Sequence, residues 1–532
     1  MAAAVTAPSA TQLAREIEHY LAEHPRAVLL EDGRVLFDLA SSQYTLADDH
    51  GRCVLQFWSE ERTLVRTIVG AERRKEDLRL DVRRFGQTRP QRLHLLAHRE
   101  QPTPAARSVS RSRYLRTVER VLPRAFSEYK AEGLRSAADL EHSFGPAYVR
   151  GLLVRGQGCW ALIAVGPDET QATIDGILTL GILWLDLCRA GNPRRVIEGL
   201  KVIVPAGAAE LTHSRMGWLN PSLAKWKLYE LNTTSEDLTL VETDREGNLR
   251  MKLVHAFDET AALTRMAASI DRILKLLPPG ERSRVEVRAK SPTEVTVALH
   301  GLEFARVRHC LVAGSFLRED RTTFGAGVNE TALTTDNEDL LRALVARLFI
   351  ARRPDGDTRD PLFRMQPERW LEATLRRDLM HIEPSLRSEF VYRQVPAFAA
   401  SDRGMLDLLT VTATGRLAVL ELKADEDLHL PLQGLDYWIR VHRLHGQRQS
   451  STDGAGEFER AGYFPSMALS AQAPLLYLVA PALRVHPSTE AVLRYLSPAV
   501  EWILLALNEG WRSERTVLWR KRAAALTPTL SA

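Results

Sequence analysis

A chain of 532 residues, 45% of them hydrophobic, can bury several cores, which excludes a disordered polymer and suggests roughly three or four domains. The net charge of +4 is slight but uneven: between Glu60 and Arg113 fourteen Lys or Arg face seven Asp or Glu, an excess that hints at a polyanion contact in the N-terminal part. Cys53, Cys159, Cys188 and Cys310 are spaced for neither a disulfide framework nor a zinc ribbon, no signal peptide is apparent, and the apolar run from Gly176 to Leu185 is too short for a bilayer, so a cytoplasmic protein without a membrane partner is expected.

The first helix begins at Ser9, with Gln12 completing a capping box and Leu13, Ile17 and Leu21 on one face. Strands follow at Val28–Leu30 and Val35–Leu39 around an Asp32-Gly33 turn. Four more are expected at Cys53–Trp58, Leu64–Val69, Leu78–Val82 and Leu93–Leu96. They predict a mainly antiparallel β domain over residues 1–102. Arg62, Arg66, Arg79, Arg83 and Arg84 stud these strands, with Phe57, Trp58 and Phe85 interleaved. Cations and rings of this kind can track a phosphate backbone and stack bases, and a solvated sheet face over an aromatic core is the competing account.

Gln101–Ser108 reads as a linker. Residues 113–250 then alternate strands and helices: a helix around Tyr114–Leu122, strands at Gly151–Val154 and Trp160–Val165, a long apolar helix from about Thr173 to Cys188, and strands at Lys201–Val204 and Trp226–Leu231. Residues 251–351 predict a small α+β connecting domain, with a helix broken at Pro278-Pro279-Gly280, alternation from Val285 to Leu299, and a helix through Leu341 and Leu348. Arg352–Asp357 reads as the last linker, leaving 362–522 as a final α/β domain.

That last domain carries the chemistry. Pro367 opens a helix that bears Glu368 and Glu372 and places Leu371, Leu375 and Leu379 on one face. Gly404–Val411 and Leu417–Lys423 read as paired strands interrupted by Asp407, Glu421 and Lys423. Glu421 and Lys423 are two residues apart and so share a face. Charges in a buried strand need partners, and carboxylates beside an ammonium suit a magnesium-type ion and phosphodiester hydrolysis. Gln433 and Tyr437 follow, one helical turn apart. Asp425, Glu426 and Asp427 read as a solvated acidic turn, with an outer metal ligand among them as the alternative, and His429, His442 and His445 lack zinc-ligand spacing. No phosphate-binding glycine loop is present.

These residues together resemble the PD-(D/E)XK nuclease superfamily, with its restriction-endonuclease-like fold. The one departure is Leu406, where the superfamily's name has Pro. The resemblance implies that Asp407, Glu421 and the Leu422 carbonyl hold Mg²⁺ or Mn²⁺ and that Lys423 positions the attacking water. It further implies that Gln433 and Tyr437 lie near the phosphate, and that Glu368, preferred to Glu372, supplies the helix carboxylate. The expected activity is that of a metal-dependent nuclease on nucleic acid, DNA first, with endonuclease and exonuclease action both open and a homodimer compatible. The alternative is a non-cleaving nucleic-acid-binding or assembly protein that keeps the fold as scaffold.

An internal echo adds a further expectation. Pro205 to Trp226 and Pro481 to Trp502 are both 21 residues, and each Trp starts a strand ending in Leu-Asn. Trp184 to Pro205 spans 21 residues but Trp438 to Pro481 spans 43, the excess including a polar loop from His445 to Gly456. A duplication is therefore expected, with 113–250 a degenerate nuclease-like copy in which about Gly151, Ala164 and Gly166 stand where Asp407, Glu421 and Lys423 stand.

Overall fold

The computed structural model describes residues 9–31, 34–39, 42–49, 52–58, 63–74, 77–83, 91–97, 104–139, 141–245, 252–253, 255–311, 317–325, 331–393, 395–398, 403–405, 408–446 and 456–523. Asp407, Arg62, Arg84, Phe85, the Asp32-Gly33 turn and most of the 445–456 loop lie outside the described residues. Among the described residues no helix is long and apolar enough to cross a membrane.

Helix α1 (Ala10–Glu23) starts from the Ser9–Gln12 capping box and buries Leu13, Ile17, Tyr20 and Leu21. It covers one face of an antiparallel sheet made of β1 (Val28–Glu31), β2 (Arg34–Asp38), β3 (Gln43–Asp49), β4 (Arg52–Trp58), β5 (Thr63–Arg74), β6 (Asp77–Arg83) and β7 (Gln91–Leu96). The order is β2-β1-β7-β6-β5-β4-β3. Strict alternation buries Leu78, Leu80 and Val82 and turns Asp77, Arg79, Asp81 and Arg83 the other way.

Residues 104–108 of the stretch expected to be a linker instead begin helix α2 (Pro104–Ala125), because Pro at the first position followed by two alanines starts a helix well; residues 101–103 lie outside the described residues. A mixed sheet follows: β8 (Lys130–Arg135), β9 (Tyr148–Arg155), β10 (Gly158–Val165), β11 (Val196–Pro205), β12 (Lys225–Asn232) and β13 (Asp237–Val241), in the order β13-β12-β11-β10-β9-β8. Strands β10, β11 and β12 run parallel. The single apolar helix expected at Thr173–Cys188 is divided into α3 (Gln171–Asp175) and α4 (Ile177–Gly191). They meet at Gly176, where a Cβ would stand 2.8 Å from Cε1 of His429. Helix α5 (Glu210–Met216) joins β11 to β12.

Beyond β14 (Lys252–Leu253), helices α6 (Glu259–Arg265) and α7 (Ala267–Lys275) pack on an antiparallel meander of β15 (Val285–Ser291), β16 (Glu294–Leu299), β17 (Leu302–Leu311), β18 (Arg318–Phe324) and β19 (Thr331–Ala332), closed by α8 (Glu338–Ala351). The β16–β17 turn presses on the final domain. Gly301, at φ +77°, has room for no side chain, since a Cβ would lie 2.1 Å from the Arg369 carbonyl oxygen.

The final domain contains α9 (Pro361–Arg364), α10 (Pro367–Arg377), α11 (Leu379–Ile382), β20 (Tyr392–Arg393), β21 (Pro396–Phe398), β22 (Arg403–Met405), β23 (Leu408–Val411), β24 (Leu417–Leu422), α12 (Leu430–Gly446), α13 (Glu457–Arg460), β25 (Leu475–Pro481), α14 (Thr489–Arg494), β26 (Trp502–Leu507) and β27 (Val517–Arg522). Its sheet runs β20-β23-β24-β25-β26-β27, with β24, β25 and β26 parallel. The strand expected over Gly404–Val411 is two strands in two sheets: β22 pairs with β21, and β23 pairs with β24.

Arg352, expected in a linker, is fully buried. Its guanidinium donates to the carbonyls of Leu362, Met365 and His300 and lies 4.4 Å from the Trp370 ring centroid. Burial pushes that guanidinium down to about 9. His300 stacks on the other side of this junction, 5.0 Å from Trp370. Burial, helped by Arg284, Arg352 and Arg377, pushes the His300 imidazole from 6.5 down to about 4. The unfolded chain therefore takes up that proton first as pH falls. The His300 contribution to stability is complete above 6.5 and is lost as pH drops toward 4. Denaturant titrations at about pH 7 and about pH 5 should show the loss, and His300→Gln should shrink it. An unchanged slope in the variant would assign the effect to other groups.

Candidate active site

Strand β24 is buried along its whole length, and its alternation divides two cores. Ala418, Leu420 and Leu422 face Trp370, Leu371 and Leu375 of α10, whereas Leu417 and Val419 face Leu435 and Trp438 of α12. Glu421 continues the α12 side and is 3% exposed. Lys423 follows on the same side, its backbone N–H donating to the Val479 carbonyl at 3.0 Å. Its Nζ stands 3.7 Å from Glu421 Oε1 and 3.6 Å from Asp427 Oδ2, so the ammonium lies between two carboxylates. Leu408 pairs with Leu420, so the chain neighbours of Asp407 and Glu421 are cross-strand partners.

Helix α12 comes unusually close to the sheet at Gly434. A Cβ there would be 2.5 Å from Leu478 Cδ2 and 3.5 Å from the Cβ of Glu421. Gln433, one residue before, has its Oε1 buried with no hydrogen-bond partner among the described residues. Gly434→Val is expected to lose about 1–3 kcal/mol by overpacking, measurable by denaturant unfolding, and to push α12 away from β24 and β25. Wild-type stability in that variant would mean that α12 yields at this point.

The start of α12 is held by Asp427, whose Oδ1 accepts the His429 backbone N–H at 2.7 Å, an Asx turn. Asp427 is thus not only a solvated turn residue: of the three acidic residues there, it is the one that reaches Lys423, and an Asp three residues ahead of the helix is a legible signal for its turn. The His429 Nδ1 makes a 3.0 Å hydrogen bond with Thr179 Oγ1 of α4. Burial, with Arg215, Lys423 and His486 acting alongside and Asp427 opposing, holds the His429 imidazole below its usual range. Further along α12, Asp436 receives a bidentate pair from Arg215 of α5, at 2.8 and 2.6 Å, while Arg215 Nη1 donates to the Asp175 carbonyl at 2.6 Å. Tyr437 is half-buried beside this pair, with Arg440 5.7 Å from its ring.

Of the two helix carboxylates, Glu372 is buried and ion-paired to Arg369 and Arg393, which gives it a structural task. Glu368 is half-buried in the first turn of α10. His442 stacks on Trp438 at 4.7 Å, and His445 Nε2 lies 2.7 Å from the Ser470 carbonyl oxygen. Among the described residues no three His, Cys, Asp or Glu side chains gather as a metal site, and Asp407 is not one of them.

In the N-terminal sheet, Arg66 shares the inward face with Leu64 and Ile68, is 1% exposed and lies 3.6 Å from Glu31, which removes it from the expected surface cations. Phe57 is likewise core, its ring 5.6 Å from that of Phe37. Arg79 is half-buried, 3.8 Å from Asp77, and Arg83 is exposed.

The two six-stranded sheets share one order and one set of strand directions, with β8–β13 matching β20 and β23–β27. Ile163 pairs with Val202 as Glu421 pairs with Leu478, each partner three residues before the strand-ending Pro205 or Pro481. The register therefore sets Ile163 and Val165, rather than Ala164 and Gly166, in the places of Glu421 and Lys423. Gly151 pairs with Leu162 as Leu408 pairs with Leu420, so the residue preceding Gly151, Arg150, matches Asp407 in sequence. Arg150 is fully buried, donates to the Ala137 carbonyl and lies 4.2 Å from the Phe144 ring.

No protein-family model and no curated protein matches the chain. Among solved structures it is similar to the crystal structure of a repair endonuclease from Pyrococcus abyssi, with 10% identity over 43% of this chain and 97% of that one and a TM-score of 0.16. A likeness at that score carries no weight for fold or chemistry, so both rest on the residues described above.

Proposed function

We propose that this chain is a metal-dependent nuclease of the PD-(D/E)XK type that hydrolyses phosphodiester bonds in nucleic acid, with DNA as the first substrate. The observation that carries the reading is the presentation of Glu421 and Lys423 on one side of a buried strand and its end, Nζ 3.7 Å from Oε1, with Glu421 directly under Gly434 of α12. A carboxylate placed this deep suits a hard cation, and an ammonium beside it suits a phosphate.

Mg²⁺ or Mn²⁺ would be held by Asp407, Glu421 and the Leu422 carbonyl. When bound, such an ion supplies Lewis acidity toward a phosphate ester. Lys423 Nζ orients the attacking water and offsets charge that develops on the phosphate oxygens. Gln433 and Tyr437 hold the phosphate from α12, with α12 itself fixed at His429 and Asp436. Glu368 serves as the helix carboxylate, since Glu372 is committed to Arg369 and Arg393. The free thiols of Cys53, Cys159, Cys188 and Cys310 suit a reducing, cytoplasmic compartment.

The N-terminal sheet would hold nucleic acid through Arg79 and Arg83, together with Arg62 and Arg84. Affinity that falls steeply as salt rises is the expected result, and a salt-independent affinity would remove this sheet from the reading. A second reading, a scaffold that binds without cutting, is favoured by one observation: the other six-stranded sheet keeps the same order with Ile163 and Val165 in place of acid and base. Incubation with circular and linear, single- and double-stranded DNA and RNA, with Mg²⁺, Mn²⁺ or chelator, decides between the two. Metal-dependent cleavage supports the nuclease. Binding without cleavage on every substrate supports the scaffold.

A further inference from the structure

We infer that the chain cuts one strand of a nucleic-acid duplex per binding event, leaving a nick, because an approximate two-fold axis inside the chain joins a half with the site to a half without it. The inference rests on the nuclease reading above and adds the substrate form and the product. Each half carries a matching segment after the helix that follows its second parallel strand: Trp218-Leu219-Asn220-Pro221 after α5, and Tyr495-Leu496-Ser497-Pro498 after α14. Leu219 and Leu496 face each other in an antiparallel bridge. Asn220 N–H donates to the Tyr495 carbonyl and Ser497 N–H donates to the Trp218 carbonyl, both at 2.8 Å. Exchanging the halves carries each bond onto the other, which is the property of a two-fold contact.

The surrounding packing repeats the exchange. Helix α12 packs on α5, and α4 packs on α14. Arg215 of α5 pairs with Asp436 of α12, while Arg494 of α14 pairs with Asp186 of α4 at 2.8 Å. One continuous core holds Ile177, Leu178 and Met216 together with Leu435, Trp438 and Leu493. The surface on which a second site-bearing half would dock is therefore already covered by the half that has Ile163 and Val165.

The strands of a duplex are antiparallel and related by local two-folds, so a two-fold protein meets both strands alike. With an active centre on each side, one encounter severs both strands. With a centre on one side only, one encounter severs one strand, and the siteless half serves as the matching grip on the other.

The test uses the full chain with Mg²⁺ on supercoiled circular DNA, and on a linear duplex labelled on each strand in turn. Nicked circles are expected as the product while supercoiled substrate remains, with linear molecules appearing only after it is consumed, and with nicking slowed by about 10²–10⁴-fold in Lys423→Ala. Linear molecules formed from the outset, in step with nicked ones, would overturn the inference and leave the nuclease reading standing. So would cleavage confined to single strands. No cleavage of any nucleic acid would overturn the nuclease reading and the inference with it.

Discussion

Lys423→Ala is expected to slow phosphodiester cleavage by about 10²–10⁴-fold with the fold retained. The Nζ lies 3.7 Å from Glu421 and 3.6 Å from Asp427, so the substitution removes the cation between two carboxylates while leaving β24 and its ladder to β25 in place. Its backbone bond to Val479 does not involve the side chain and persists. Single-turnover cleavage under saturating substrate is the measurement, with thermal unfolding alongside to show that the variant is folded. Lys423→Arg keeps the charge but spreads it over a planar fork, and partial activity is expected. A Lys423→Ala enzyme that cuts at the wild-type rate would leave the ammonium no part in the reaction and move the water-orienting group elsewhere.

Arg215→Ala is expected to cost about 3–5 kcal/mol of stability, because it strands the Asp436 carboxylate, which is largely buried. Burial works to lower the Arg215 pKa, and Asp436 outweighs it, holding the guanidinium above its usual value. The same substitution removes the bond to the Asp175 carbonyl, so α5, α3 and α12 lose a common tie. Asp436 lies between Gln433 and Tyr437 on α12, and activity should fall with stability. Denaturant unfolding of Arg215→Ala, Asp436→Ala and the double variant forms a cycle that isolates the pair. A single-variant loss below about 1 kcal/mol would place the pair in solvent-like surroundings.

Much of the candidate site was legible because it is local. Glu421 and Lys423 interrupt an apolar run at spacing two, and Gln433 and Tyr437 repeat at spacing four, patterns that need only one element each to be read. Tertiary ties were not legible. Thr179 and His429 are 250 positions apart, Arg215 and Asp436 are 221 apart, and no local pattern couples them. Arg352 shows the same limit, since its three carbonyl partners come from a turn, a short helix and a cap brought together by packing. Arg66 is a different case. Leu64, Arg66 and Ile68 share a parity that turns the arginine inward, so alternation was the better guide than the habit of placing charge outside. Strand β3 lacks a continuous apolar run, and only its pairing with β4 makes it a strand.

The bridge between Leu219 and Leu496 also bears on how such a molecule can change by mutation. In an assembly of identical subunits every substitution is made twice, once on each side of the axis, and must be tolerated in both places. Here the two sides are encoded separately. A buried Arg150 against Phe144 can suit one side while its counterpart in sequence, Asp407, remains on the other, and neither imposes itself across the axis. Ile163 and Val165 can be selected for packing on one side without fixing what stands at Glu421 and Lys423 on the other. A single reading frame across the axis thereby frees each half from the other's constraints.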